Sequence, residues 1–316
     1  MPIGKYEKTG VRAGKSAVKR IDYDLSACGQ PESMNAPNQP STLEEPFLNL
    51  RQYWPDAWPG LPLVLSRCLQ QLGYPAGSQS RAKPTLALRR LQACLVDVAV
   101  LVEEDGCQRA ALGVQPAYHN RLHVADTLVA LTLLLLTLRR LQPGFKSEQP
   151  SHHECLALLA MLAHDLMHDG RINRQPGEME KLSLQALQPL MRRHQLAAAD
   201  QAAVQHIILM TDPTQVAGCH LKMAGREFAT EELDALVVLV EEADIWVSCL
   251  PVLGAQLTRQ LSQEWAVHTP GLAQGLLEPG GRLDFLRHAA LFTSPAAVDL
   301  GMRQVRQAQI NTLETT

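Results

Sequence analysis

The stretch Ala163-His164-Asp165-Leu166-Met167-His168-Asp169-Gly170-Arg171-Ile172-Asn173 sets an imidazole beside a carboxylate at the end of an apolar run, with a second imidazole four residues after the first. An adjacent His-Asp pair builds a core poorly and grips a metal well. The neutral imidazole gives one nitrogen ligand, and the carboxylate gives two oxygens that can reach two ions at once. The chemistry such a pair suits is metal-dependent hydrolysis of a phosphoester.

Three further pieces bear on that site. In Tyr118-His119-Asn120-Arg121-Leu122-His123, the two histidines are four apart and would share one face of a helix. His164 and His168 have the same spacing. The run Leu156 to Leu162 before them is nearly all apolar, so that helix is expected to be buried and to end with its polar groups in a cavity, where charges are paired or metal-bound. Asp169 and Arg171 read as solvated. Glu241-Glu242-Ala243-Asp244-Ile245 closes an apolar helix. Glu241, and with less force Glu242, read as a solvated face, whereas Asp244 is the distant carboxylate best placed to complete the site. Ile207-Ile208-Leu209-Met210-Thr211-Asp212 runs into Pro213 and has two open readings, ordinary turn chemistry or support for the site.

The elements that must position these groups are helices. The chain has 316 residues, 46% hydrophobic and 4% aromatic, and is rich in Leu, Ala and Gln, a composition that argues for an all-α protein with a large core. Periodicity and breakers predict helices over about 63–72, 84–103, 118–141, 152–168, 178–193, 198–211, 230–249, 251–267, 282–292 and 295–310. Tyr53, Trp54 and Trp58 among prolines suggest a packed, non-helical entry. Gly106 to Pro116 reads as a connection, and Gly218, Gly225, Pro270, Pro279 and Gly280-Gly281 read as punctuation. No alternating strand pattern, internal repeat or second domain is evident.

Residues 1–45 differ from the rest. Six basic residues stand against the single Glu7 in the first twenty, and Gly, Pro, Ser and Asn dominate up to Ser41, so this segment reads as a flexible tail before an all-helical domain over 46–316. The formal net charge of -3 offers no basic field for nucleic acid. The seven cysteines form no Cys-x-x-Cys pair and suggest free thiols in a reducing compartment. No charged-then-apolar leader is present, and the apolar run Leu128–Leu138 falls short of the ~20 residues that span a bilayer. A cytoplasmic protein without a membrane span is expected. The oligomeric state is open, a homodimer being one reading.

The pattern His-Asp-x-x-His-x-Gly-x-x-Asn is met in full by His164 to Asn173. Together with Tyr-His-Asn-x-x-His at Tyr118 to His123, it resembles the class I cyclic nucleotide phosphodiesterases, within the wider HD-domain phosphohydrolases. Ile207 to Asp212 is similar to that family's Leu-Ala-Thr-Asp segment, and Ala243-Asp244-Ile245 to its Ala-Asp-Leu/Ile segment. The resemblance spans roughly residues 85–295, with the motifs in family order.

The resemblance implies a compact all-helical catalytic domain. It implies that His123, His164, Asp165 and Asp244 hold a tight ion, usually zinc, and that Asp165 bridges to a second ion, usually magnesium or manganese. His119 would be the general acid, with an acidic neighbour keeping it protonated, and His168 and Glu180 would stand near the phosphate and the waters of the second ion. Asn173 belongs to the same motif and is a candidate substrate contact. Several positions depart from the family. Arg282 stands where its nucleotide-binding glutamine would be, three residues before Phe285 at the base-clamp position. Trp246-Val247 replaces Asn-Pro, and Leu182 and Ser183 replace two histidines. The implied activity is hydrolysis of a 3′,5′-cyclic nucleotide. The alternative is another phosphoester (a cyclic dinucleotide, a nucleotide monoester or a non-nucleotide diester), because a guanidinium at 282 suits an extra phosphate. A regulator that binds nucleotide without catalysis is a third, weaker reading, since it has no need of a proton donor.

Overall fold

The computed structural model describes residues 43–74, 84–142 and 151–315. The N-terminal tail up to residue 42, most of the break at 73–83, and Pro143-Gly144 therefore lie outside the described residues. Among those described there are fourteen α-helices and no strand. In chain order they are α1 Glu45–Arg51, α2 Leu61–Gln71, α3 Leu86–Ala111, α4 Arg121–Leu141, α5 His152–Ala163, α6 Glu178–Arg193, α7 Ala198–Met210, α8 Pro213–Met223, α9 Leu233–Trp246, α10 Pro251–Trp265, α11 Pro270–Leu277, α12 Pro279–Asp284, α13 Pro295–Asp299 and α14 Met302–Thr315. A short 3-10 turn, Val247–Cys249, follows α9, and a π turn, Phe285–Ala289, follows α12.

Three helices that are apolar nearly all round, α4, α5 and α9, pack on one another at the centre. The others lay amphipathic faces over them: α2 and α13 on α4, α3 and α7 on α5, α8 on α9. One contiguous apolar cluster draws on α1 to α7, α9, α10, α13 and α14. α4 is long and apolar enough to cross a membrane, yet 94% of its most apolar window is buried inside the protein, the position of a core helix. α5 is fixed at its start by a capping box in which Ser151 receives Glu154 N–H and Glu154 returns a bond to Ser151 N–H.

Several local expectations are corrected. α3 runs through Gly106 to Ala111 instead of stopping near Glu103. Gly106 is no breaker. A Cβ there would fall 2.4 Å from the Arg121 side chain, so the glycine lets the start of α4 press against α3. The entry at Tyr53, Trp54 and Trp58 is packed and non-helical as expected, and a helix that was not foreseen, α1, precedes it. Helices α8 and α11 were missed and α12 starts early, because Pro213, Pro270 and Pro279 open helices at the first position, where the missing N–H costs nothing.

Candidate metal centre

Each ligand candidate sits at an end of one of the three central helices. Asn120 caps α4, its Oδ1 accepting Leu122 N–H at 2.9 Å and His123 N–H at 3.3 Å, so His123 emerges in the first turn. His119 therefore precedes the helix and does not share a helical face with His123, though their rings lie 5.7 Å apart. α5 ends at Ala163, so His164 and Asp165 lie just past its C-terminus, and Asp244 lies in the last turn of α9. Two helix C-termini thus point their negative dipole ends toward this corner and favour a cation.

His123 Nε2 lies 3.2 Å from Asp165 Oδ2 and 3.1 Å from Asp244 Oδ1; His164 Nε2 lies 3.2 Å and 3.4 Å from the same two atoms. Donors ~2.0–2.2 Å from one ion stand roughly 3.0–3.4 Å apart, so these spacings fit the edges of a coordination polyhedron. Hydrogen bonds do not account for them. His123 Nε2, His164 Nε2 and Asp165 Oδ2 are buried with no hydrogen-bond partner among the described residues. His164 Nδ1 lies 2.7 Å from the carbonyl of Met161, which places its proton there and leaves the Nε2 lone pair free for a metal.

Charge agrees with geometry. Burial opposes a proton on His123, but Asp165 and Asp244 outweigh it and push its pKa up to about 9. His164 is raised well above its ordinary value against burial by the same two carboxylates. Burial would raise Asp165 and Asp244, but the charge of His164 first, then that of His119 on Asp165 and the contact with His123 on Asp244, holds both far below the usual range. Two buried imidazoles facing two carboxylates held well toward the ionised form mark a pocket that calls for positive charge, which a divalent cation would supply.

The turn after α5 separates the histidines. Ser183 Oγ lies 2.7 Å from His164 O and 2.6 Å from Leu166 O, and Met167 takes a left-handed φ of 70°. His168 is thereby turned away from His164, and its ring stacks on His119 at 3.8 Å. His119, Asp165 and His168 form a second group whose candidate ligand atoms lie within 4.8 Å of one another. Burial, then the charge of His119, brings His168 down to about 4, and its Nδ1 accepts Gly170 N–H at 3.1 Å.

The acidic neighbour of His119 is Glu264 of α10. Its Oε1 pairs with His119 Nδ1, and its Oε2 accepts the N–H groups of Tyr118 at 2.8 Å and His119 at 3.0 Å. Burial would raise Glu264, but the charge and bonds of His119 hold it below its ordinary value. No motif marked this residue. Its signal was a carboxylate on the buried stripe of α10, seven residues after Leu257. Gly170, with φ +84°, lies so close that a Cβ would sit 2.7 Å from Glu264 Cγ.

Asn173 and Glu180 meet, with Asn173 Nδ2 donating to Glu180 Oε2 at 2.9 Å and Asn173 Oδ1 accepting Met179 N–H at 2.8 Å. Burial raises Glu180, and the charges of Asp212 and Asp165 add to this against the Asn173 bond. Asp212 takes the turn-chemistry reading and adds a second contact. It caps α8 through Thr214 N–H at 2.8 Å and also accepts Gly177 N–H beside Asn173.

Two expectations at this end are corrected. Arg282 does not offer an open fork. Its guanidinium donates to Ser248 O at 2.6 Å, Leu250 O at 3.3 Å and Gln309 Oε1 at 2.7 Å, and lies 5.3 Å from the centre of the Phe285 ring. Glu241 and Glu242 are buried, not solvated. Glu242 accepts Thr293 N–H, Ser294 N–H and Ser294 O–H, which tie α13 to α9. Trp246 is fully buried, edge-on against Phe292.

Compared with protein-family models, curated proteins and solved structures, the chain matches none. Fold and site together define an all-helical protein with a His/Asp cluster able to hold a metal ion. The family resemblance rests on the sequence motifs alone.

Proposed function

We propose that this protein is a metal-dependent phosphoester hydrolase in which His123, His164, Asp165 and Asp244 hold a zinc-type ion and Asp165 shares a magnesium or manganese ion. The observation that supports this reading most is the set of two partnerless Nε2 atoms facing two carboxylates at ligand-edge spacing. The bound ions supply an acidified water at neutral pH and charge stabilisation at the phosphoryl oxygens. The chain's own residues do the rest. Glu264 holds His119 by Nδ1, so Nε2 is the nitrogen left to deliver a proton to the leaving oxygen. His168, lodged between His119 and Asp165, is kept neutral and can hydrogen-bond a phosphate oxygen or a water without adding charge.

Within that class the leading substrate is a 3′,5′-cyclic nucleotide, opened to the 5′-monophosphate, since the motif set is that of the cyclic nucleotide enzymes. A different phosphoester is the second reading, now favoured by the glutamine missing from the base pocket and not by Arg282, whose guanidinium is engaged by backbone carbonyls. The test is a screen of the metal-loaded protein on cyclic mononucleotides, cyclic dinucleotides and simple phosphodiesters, with and without EDTA. EDTA-sensitive turnover of a cyclic mononucleotide supports the leading reading. Turnover confined to other esters supports the second, and bound metal without turnover of any ester removes the hydrolase reading.

A further inference from the structure

A second group of partnerless buried atoms lies one turn earlier on α9, where α8 crosses it. Neither carboxylate oxygen of Glu241 has a hydrogen-bond partner among the described residues, and nor has His220 Nε2, although the two side chains are almost wholly buried. His220 Nε2 is 3.5 Å from Glu241 Oε2. The thiol of Cys219, the preceding residue, faces the same carboxylate and is free. A buried carboxyl group without hydrogen-bond partners is unfavourable even when it holds its proton. The nearby basic groups are engaged elsewhere: Arg303 Nε donates to Phe292 O, and Lys222 pairs with Asp234.

We propose that Cys219, His220 and Glu241 form a second metal site, of zinc type, separate from the His123 cluster. Sulfur, nitrogen and oxygen donors are the set zinc accepts. The nitrogen–oxygen spacing is close to the edge of a tetrahedral site, roughly 3.4 Å. His220 Nδ1 lies 2.6 Å from Thr293 Oγ1, the outer contact that fixes a ligand imidazole and leaves Nε2 to coordinate. The imidazole and the carboxyl group already stand at ligand spacing, whereas the thiol on the preceding residue meets only the carboxyl group and would have to turn about χ1 of Cys219 to complete the set. Burial pushes Cys219 up to about 12 and Glu241 up to about 9, and holds His220 down to about 4 with help from Arg303. The metal-free cluster is therefore neutral at pH 7. Uptake of M²⁺ releases the thiol proton and the carboxyl proton and leaves a thiolate, a carboxylate, a neutral imidazole and one divalent ion, again neutral. A low-dielectric interior accepts such an exchange.

The test is cobalt(II) titration of the reduced, metal-stripped full chain. A thiolate–cobalt bond gives a near-ultraviolet charge-transfer band that the His123 cluster, with no sulfur ligand, cannot give. One equivalent of band-forming cobalt is expected. Cys219→Ser should abolish the band, and His220→Asn, Glu241→Gln and Thr293→Val should each weaken its affinity at least about tenfold. Asp165→Asn should keep it, which separates this proposal from the hydrolase reading. Absence of the band, or its survival in Cys219→Ser, overturns the proposal. If Cys219→Ser does not fold by circular dichroism, an unchanged band affinity in the isosteric Glu241→Gln overturns it instead.

Discussion

Asp244 and Glu241 stand one turn apart on α9, the first half-buried and the second buried, and their carboxyl groups are driven in opposite directions. Asp244 meets two imidazoles, whose charge holds it far below its ordinary value in spite of burial. Glu241 meets one neutral imidazole and a thiol, and burial, with the charges of Glu242 and Asp244, pushes it up to about 9. The helix supplies the same backbone to both. The difference comes from what the neighbouring elements bring: α4 and α5 bring His123 and His164 to one carboxylate, and α8 brings Cys219 and His220 to the other. A carboxyl group on a core helix is thus held ionised or held protonated according to the groups facing it.

The contrast can be broken most forcefully at Asp244. If the proposed function holds, Asp244→Asn or His164→Ala should abolish tight binding of a zinc-type ion and bring phosphodiester turnover to background while the helical circular dichroism persists. Retention of that ion by metal analysis would show that the four side chains are not its ligands. A smaller loss is expected one step out. His119→Asn should lower kcat by about 10²–10⁴-fold on esters with poor leaving groups and far less on p-nitrophenyl esters, with the ion retained. Equal losses on both would remove the proton-donor role.

Acidity distinguishes the two carboxylates more finely. Metal entering the His123 cluster must displace a proton held up to about pH 9, so zinc affinity of the stripped protein should rise with pH toward that value, with proton release measurable by calorimetry. Glu241 has a folded pKa raised from 4.5 to about 9. Its contribution to stability is complete below about pH 4.5 and is lost as pH rises through about 9. Glu241→Gln has no proton to lose, so the melting temperature of the metal-stripped variant should exceed that of the parent increasingly from neutral to alkaline pH. Parallel curves would show that Glu241 is not buried as described. The smallest effect belongs to Ser183→Ala, which should cost about 1 kcal/mol through one buried hydrogen bond and loosen the turn that carries His164 and Asp165. An unchanged melting curve would mean the turn is held by other contacts.

Much of the fold was legible because its core helices are long and strongly patterned. α6 was read to the residue, and α4 and α9 to within three residues at each end. The missed helices share one cause, the reading of proline as a stop where Pro213 and Pro270 are starts. Glu241 and Glu242 read as solvated because an acidic run resembles a solvated face, and only the packing of α8 on α9 and the bonds from Thr293 and Ser294 to Glu242 show otherwise. Arg282 was misread because a side chain's type says nothing of which carbonyls it finds.

The sequence by itself determined the helical class, the donor types and the order of the His, His-Asp and Asp elements, since these depend on residue chemistry and short-range periodicity. Tertiary structure decided that residues 123, 164, 165 and 244 converge, that Glu264 is the partner of His119, and that Arg282 is engaged by the chain itself. Those outcomes depend on how helices distant in sequence pack against one another, and local pattern carries no record of that packing.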